Sequence, residues 1–139
     1  MRVLFDTNVV LDVLLDREPH AEDATRLLSL VDQGGSDGVV CATTVTTIHY
    51  LAARAVGHTE ASRHVADLLA LFDVAPVDGR VLRSALGAAF SDFEDAVLHE
   101  AAVACGASAI VTRNGKDFGA ASLAVLAPSE LLAAVLAAE

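Results

Sequence analysis

Short apolar runs alternate with longer segments of helical period along the whole chain, and this rhythm limits the fold more than any other feature. The runs from Arg2 to Phe5, Val39 to Ala42, Val74 to Val77, Ala109 to Thr112 and Leu123 to Leu126 read as strands. Between them lie helical segments. One runs from Asp6 to Leu15. A second has Pro19 in its first turn and Ala24, Leu27, Leu28 and Val31 on one face, and it ends at Gly34, Gly35 and Gly38. A third opens at Thr43 and reaches about Val56, with Gly57 as its stop, and a fourth spans Thr59 to Phe72. Asp78 caps a fifth that runs to about Phe90. Ser91 or Asp92 caps a sixth that runs to Cys105. Pro128 and Ser129 open the last. Parallel strands need long crossovers, so strand–helix alternation implies an α/β fold with a parallel sheet of four to five short strands and helices on both faces. Such sheets take their ligands at the carboxyl ends of the strands.

The size of 139 residues suits a single domain spanning 1–139, and no linker, repeat or low-complexity stretch interrupts it. Hydrophobic residues make up 54% but aromatics only 4%, so Ala, Val and Leu must build the core. Cys41 and Cys105 sit among apolar residues and form no Cys-x-x-Cys pair, which predicts buried thiols in a reducing, cytoplasmic setting and no structural zinc. Asp6 and Asp12 interrupt the one candidate signal segment, and no run is apolar enough to span a membrane. The net charge of −10 repels nucleic acid at long range and argues against a simple DNA-coating module. It leaves room for an enzyme whose carboxylates hold a cation, because the ion inverts the local field.

The acids fall where a parallel sheet would gather them. Asp6 ends the first strand, followed by Thr7 and Asn8. "SDFEDAVLHEAA" puts Asp92, Glu94 and Asp95 in the first turn of a mostly apolar helix, with Asp92 and Asp95 on one face and His99 one turn further on. "VTRNGKDF" puts Arg113, Asn114, Lys116 and Asp117 just beyond another strand. Each acid alone suits a helix cap or a turn. Together, carboxylates on one sheet edge repel one another and call for a cation. Oxygen ligands without cysteine suit Mg²⁺ or Mn²⁺, and His99 reads as a satisfied or exposed histidine rather than a ligand. Such a centre can activate water against a phosphodiester.

The three segments "VLFDTNVVLDVLL", "DFEDAVLHEAA" and "AIVTRNGKDF", in this order, resemble the PIN domain, the fold of VapC-type toxin ribonucleases. The resemblance implies a three-layer α/β/α fold, Mg²⁺- or Mn²⁺-dependent cleavage of RNA, frequent homodimers and a small antitoxin partner. By the same resemblance Asp6, Asp95 and Asp117 match the family's acidic ligands, and Asp92 is a frequent additional acid. Thr7 and Asn8 match groups that orient the first carboxylate, and Asn114 a residue that supports the ligands. Arg113 and Lys116 are placed to contact the RNA backbone. One position departs. The family usually carries a glutamate in the helix after the second strand, where "TTVTTIHYLAAR" has Thr47. Glu94 or Asp92 then compensates, or the metal binds weakly, or the chain is a degenerate member.

That departure, with the charge of −10, keeps open a non-catalytic PIN-like module that binds a protein or RNA partner. A haloacid dehalogenase-type phosphatase wants a second aspartate two residues after the first, where Asn8 stands. A receiver domain wants an acidic pair after its first strand and a central aspartate ending another, and neither is present. Leu11, Leu14, Leu15, Leu27 and Leu28 form either core or a groove for an antitoxin helix, and "SELLAAVLAAE" either core or a dimer contact.

Overall fold

A computed structural model describes residues 1–138. Five strands form one parallel sheet: β1 (Arg2–Phe5), β2 (Asp37–Cys41), β3 (Asp73–Ala75), β4 (Ala109–Val111) and β5 (Ala124–Leu126), in the order β3-β2-β1-β4-β5. The helices are α1 (Thr7–Leu14), α2 (Ala21–Asp32), α3 (Ala42–Val56), α4 (His58–Leu71), α5 (Gly79–Gly87), α6 (Phe93–Ala104) and α7 (Pro128–Ala137), with a 3₁₀ turn at Gly115–Phe118.

The central strand shows why the layers form. Val3, Leu4 and Phe5 are all fully buried, as befits a strand covered on both faces. Side chains alternate across a strand, so Val3 and Phe5 enter one core and Leu4 the other. The first core is closed by Val9 and Val10 of α1, Leu27 of α2, Ile48 of α3, Leu68 of α4 and Leu131 of α7. The second is closed by Val81 and Ala85 of α5 and by Ala96, Val97 and Ala101 of α6. The result is the three-layer α/β/α architecture expected of the sequence.

Local differences from the sequence reading have plain causes. Gly38 lies inside β2 rather than at the end of α2. A Cβ there would stand 2.7 Å from the Phe72 ring, which itself meets Phe5 edge-on at 5.0 Å. Gly34, at φ +79°, takes the left-handed turn that ends α2. Pro19 lies in the turn before α2. Ala42 starts α3 rather than ending β2. Helix α5 stops at Gly87, and Phe90 turns inward between His99 and Phe118 instead of extending it. Cys41 is buried, Cys105 is half-buried, and both are free thiols.

In this strand order β1 and β4 are neighbours although the chain between them visits both flanks of the sheet. Crossovers leave to opposite sides here, opening a crevice at the carboxyl ends of β1 and β4. Phe5 pairs with Val111, so the next residues, Asp6 and Thr112, stand side by side at that crevice.

Candidate active site

Asp6 leaves β1 still tied to the sheet, its N–H donating to the Val111 carbonyl at 2.9 Å. Its extended backbone makes it the N-cap of α1. Oδ1 accepts the Thr7 N–H at 2.7 Å. Oδ2 accepts the Thr112 hydroxyl at 2.7 Å and, more weakly, the Asn8 amide at 3.4 Å. The residue is only 8% exposed, so burial pushes its carboxyl up, and the Thr112 hydroxyl and Thr7 N–H work against that. Asn8 also reaches Thr112 and accepts from the Arg113 N–H, while the Thr112 hydroxyl accepts the Asn114 N–H at 3.0 Å. Asn8 and Thr112 therefore join the loop after β4 to the tip of β1. Thr7 bonds across to Thr44 of α3 at 3.0 Å.

Asp95 faces the same open cleft, of about 320 Å³, from the first turn of α6. Asp92, exposed, caps that helix by accepting the Asp95 N–H at 2.9 Å. The Asp95 carboxyl is pushed up to about 6, first by burial and then by the charges of Asp92, Asp6, Asp117 and Glu94. Asp117 sits exposed on the 3₁₀ turn and does not line the cleft, but its charge also acts on Asp6. Glu94 and Asn114 do line it.

Thr47 does not line the acid cleft. Its hydroxyl donates to the Thr43 carbonyl one turn back, and it borders an adjoining groove with Phe93 and Glu94. Glu94 thus spans both hollows, while α3 brings no carboxylate. His99 is buried and faces away: Nε2 accepts the Ser122 N–H at 3.0 Å and Nδ1 bonds Glu100.

Arg113 is not a free cation reaching outward. Its Nε and Nη2 bond Asp12, which is fully buried on α1. Arg17 bonds the same carboxylate at 2.9 Å. The site also holds Asp12, Arg17 and Thr112, none of them a site candidate from the sequence. An acid between Leu11 and Val13 in an apolar helix was the available signal for the first. Nothing local marked Arg17 or Thr112, because their partners are set by which elements adjoin.

Among the described residues no three His, Cys, Asp or Glu side chains are placed so that they could together hold a metal ion. The donor chemistry nonetheless fits a hard divalent cation. All candidate donors are oxygens, and the Asp95 carboxyl is raised first by burial and then by the neighbouring carboxylates, whose charges a cation would offset. Mg²⁺ keeps several waters and uses one or two carboxylates, so an open set of acids suffices. Asp6 and Asp95, with Asp92 or Glu94, would hold it, and Asp117 acts on the site through its charge.

A sequence profile described as PIN domain matches residues 2–116. The chain belongs to the PIN domain family. No match to a curated protein sequence was found. Among solved structures, this PIN domain resembles FitAcB from Neisseria gonorrhoeae, at TM-score 0.71 and 22% identity, covering 91% of this chain and 98% of that one. It resembles VapBC2 from Rickettsia felis bound to a promoter DNA fragment, at TM-score 0.69 and 13% identity, covering 91% and 98%. VapC20 from Mycobacterium tuberculosis, described as a sarcin-ricin loop cleaving toxin, aligns at TM-score 0.63 and 16% identity, covering 78% and 86%. At these identities the likeness is one of fold. Among the described residues no helix is long and apolar enough to cross a membrane.

Proposed function

We propose that this PIN domain is a Mg²⁺- or Mn²⁺-dependent endoribonuclease acting as the toxin of a toxin–antitoxin pair. The observation that carries the reading is the meeting of Asp6, from the tip of β1, with Asp95, from the start of α6, in one cleft at the crevice of the sheet. The chemistry a bound Mg²⁺ or Mn²⁺ supplies there is activation of water and neutralisation of charge on the phosphodiester. The chain's own residues do the positioning. The Thr112 hydroxyl and the Thr7 N–H fix both oxygens of Asp6. Asn8 couples that carboxylate to the loop carrying Asn114. Asp92 sets the first turn of α6 and so the direction of Asp95. Asp117 adds its charge from the 3₁₀ turn.

The toxin reading draws on the likeness to FitAcB, VapBC2 and VapC20. It carries with it an RNA substrate, a small antitoxin as partner, a homodimer and a cytoplasmic location. The test is Mn²⁺-dependent cleavage of structured RNA, beginning with a sarcin-ricin loop hairpin, by the wild type and by Asp95→Asn. Equal cleavage by both removes Asp95 from the chemistry.

One observation favours a second reading, a non-catalytic PIN-like module that binds a protein or RNA partner. Helix α3 offers the cleft no acid, and Thr47 is spent on its own helix. Calorimetry with Mn²⁺ separates the two: binding near micromolar supports the nuclease, and no binding supports the module.

A further inference from the structure

The cleft that Asp6 and the acids of α6 line is also lined by Arg17 and Arg113, both held by one buried carboxylate. Asp12 is fully buried, and each of its oxygens accepts from a guanidinium: Oδ1 from Arg17 Nε at 2.9 Å and Arg113 Nη2 at 3.1 Å, Oδ2 from Arg113 Nε at 2.6 Å. A buried carboxylate needs one cation to balance its charge. Here it has two, both guanidiniums line the cleft, and the charge of Arg113 also acts on Asp6.

The backbone is shaped to deliver Arg17. Asp16 adopts φ +49°, the left-handed conformation that few non-glycine residues take. The turn brings the chain back on α1, where the Arg17 N–H bonds the Asp12 carbonyl at 3.0 Å and Nη2 bonds the Asn8 carbonyl at 3.3 Å. Nη1 of each arginine bonds no other group among the described residues, and the side chains remain 40% and 25% exposed. Both heads are thus fixed in place yet open to a ligand. The chain has only nine Lys and Arg against nineteen acids. Gathering two of the nine at this cleft is how so acidic a protein can hold a polyanion beside its carboxylates.

We propose that Arg17 and Arg113, braced by Asp12, form a subsite for a phosphate of the RNA strand next to the one cleaved. The inference rests on the ribonuclease reading. A planar guanidinium fixed by a second partner matches phosphate geometry with little further loss of freedom. Asp12 is then a positioning residue, acting through the two arginines.

The test is fluorescence anisotropy of a short labelled single-stranded RNA in Ca²⁺ over a range of salt, using wild type, Arg17→Gln and Arg17→Lys. Arg17→Gln should weaken binding about three- to tenfold and lower the salt slope by about 0.7, the share of one phosphate on a single strand. Arg17→Lys should restore the slope, because it restores the charge. The melting shift produced by Mn²⁺ should match wild type in both variants. Unchanged affinity and slope in Arg17→Gln overturn the subsite, as does a salt slope that lysine fails to restore. So does weakened binding of a labelled polyglutamate peptide with RNA binding intact, which would assign the pair to an acidic protein segment. RNA binding that depends on Arg17 without Mn²⁺-dependent cleavage supports the subsite and refutes the nuclease. Cleavage with Arg17-independent binding does the reverse.

Discussion

Replacing Asp95 by asparagine should stabilise the metal-free protein. In the fold the carboxyl is pushed up to about 6, against an ordinary aspartate value of 3.8, by burial and by four neighbouring acids. The folded state therefore binds a proton more tightly than the unfolded chain. Stability is fully present below the unfolded value and falls as pH rises from about 4 to about 6. Above that window the charged carboxylate costs at most about 3 kcal/mol, from roughly 1.4 kcal/mol per unit. Asp95 is open enough to water that screening should leave about 1 kcal/mol of this. For a domain of this size that corresponds to a melting rise of about 3 to 5 °C in the variant. The assay is a circular-dichroism melt in EDTA at neutral and mildly acidic pH. The gap between variant and wild type should be widest at neutral pH and close as the medium turns acidic. Saturating Mn²⁺ should reverse the order, since a ligand at a hundredfold its dissociation constant adds about 2.7 kcal/mol to wild type alone. A variant that melts at or below wild type in EDTA at neutral pH would refute the idea that the carboxylates strain one another.

Three further outcomes are expected. Thr112→Val removes the hydroxyl that holds Asp6 Oδ2 and accepts the Asn114 N–H, so Mn²⁺ affinity measured by calorimetry should fall about tenfold, the scale for losing a partner of a ligand. Gly38→Ala forces a methyl against Phe72 and Val31, so chemical denaturation should report a loss of about 1–3 kcal/mol. Thr47→Glu supplies the carboxylate that α3 lacks beside the groove lined by Glu94, and it should strengthen Mn²⁺ binding in the same calorimetric assay.

The alternation of short apolar strands with helical segments was enough to specify a parallel α/β sheet, because strand and helix periods are local and parallel strands need crossovers. The acids Asp6, Asp92, Glu94 and Asp95 were visible for a similar reason: each sits at the end of a strand or the start of a helix, where the chain pattern changes. Gly38 and Phe90 were harder to read, since what fixes them is a ring packed from a distant segment rather than their neighbours. The strand order belonged to the tertiary structure. Only when β4 lies against β1 does Thr112 meet Asp6, across more than a hundred residues of chain. The same adjacency bends Arg113 back onto Asp12 and turns an outward cation into half of a braced pair. Such partners are chosen by burial and charge balance between elements far apart in the chain, and no period in a single stretch of sequence can encode them.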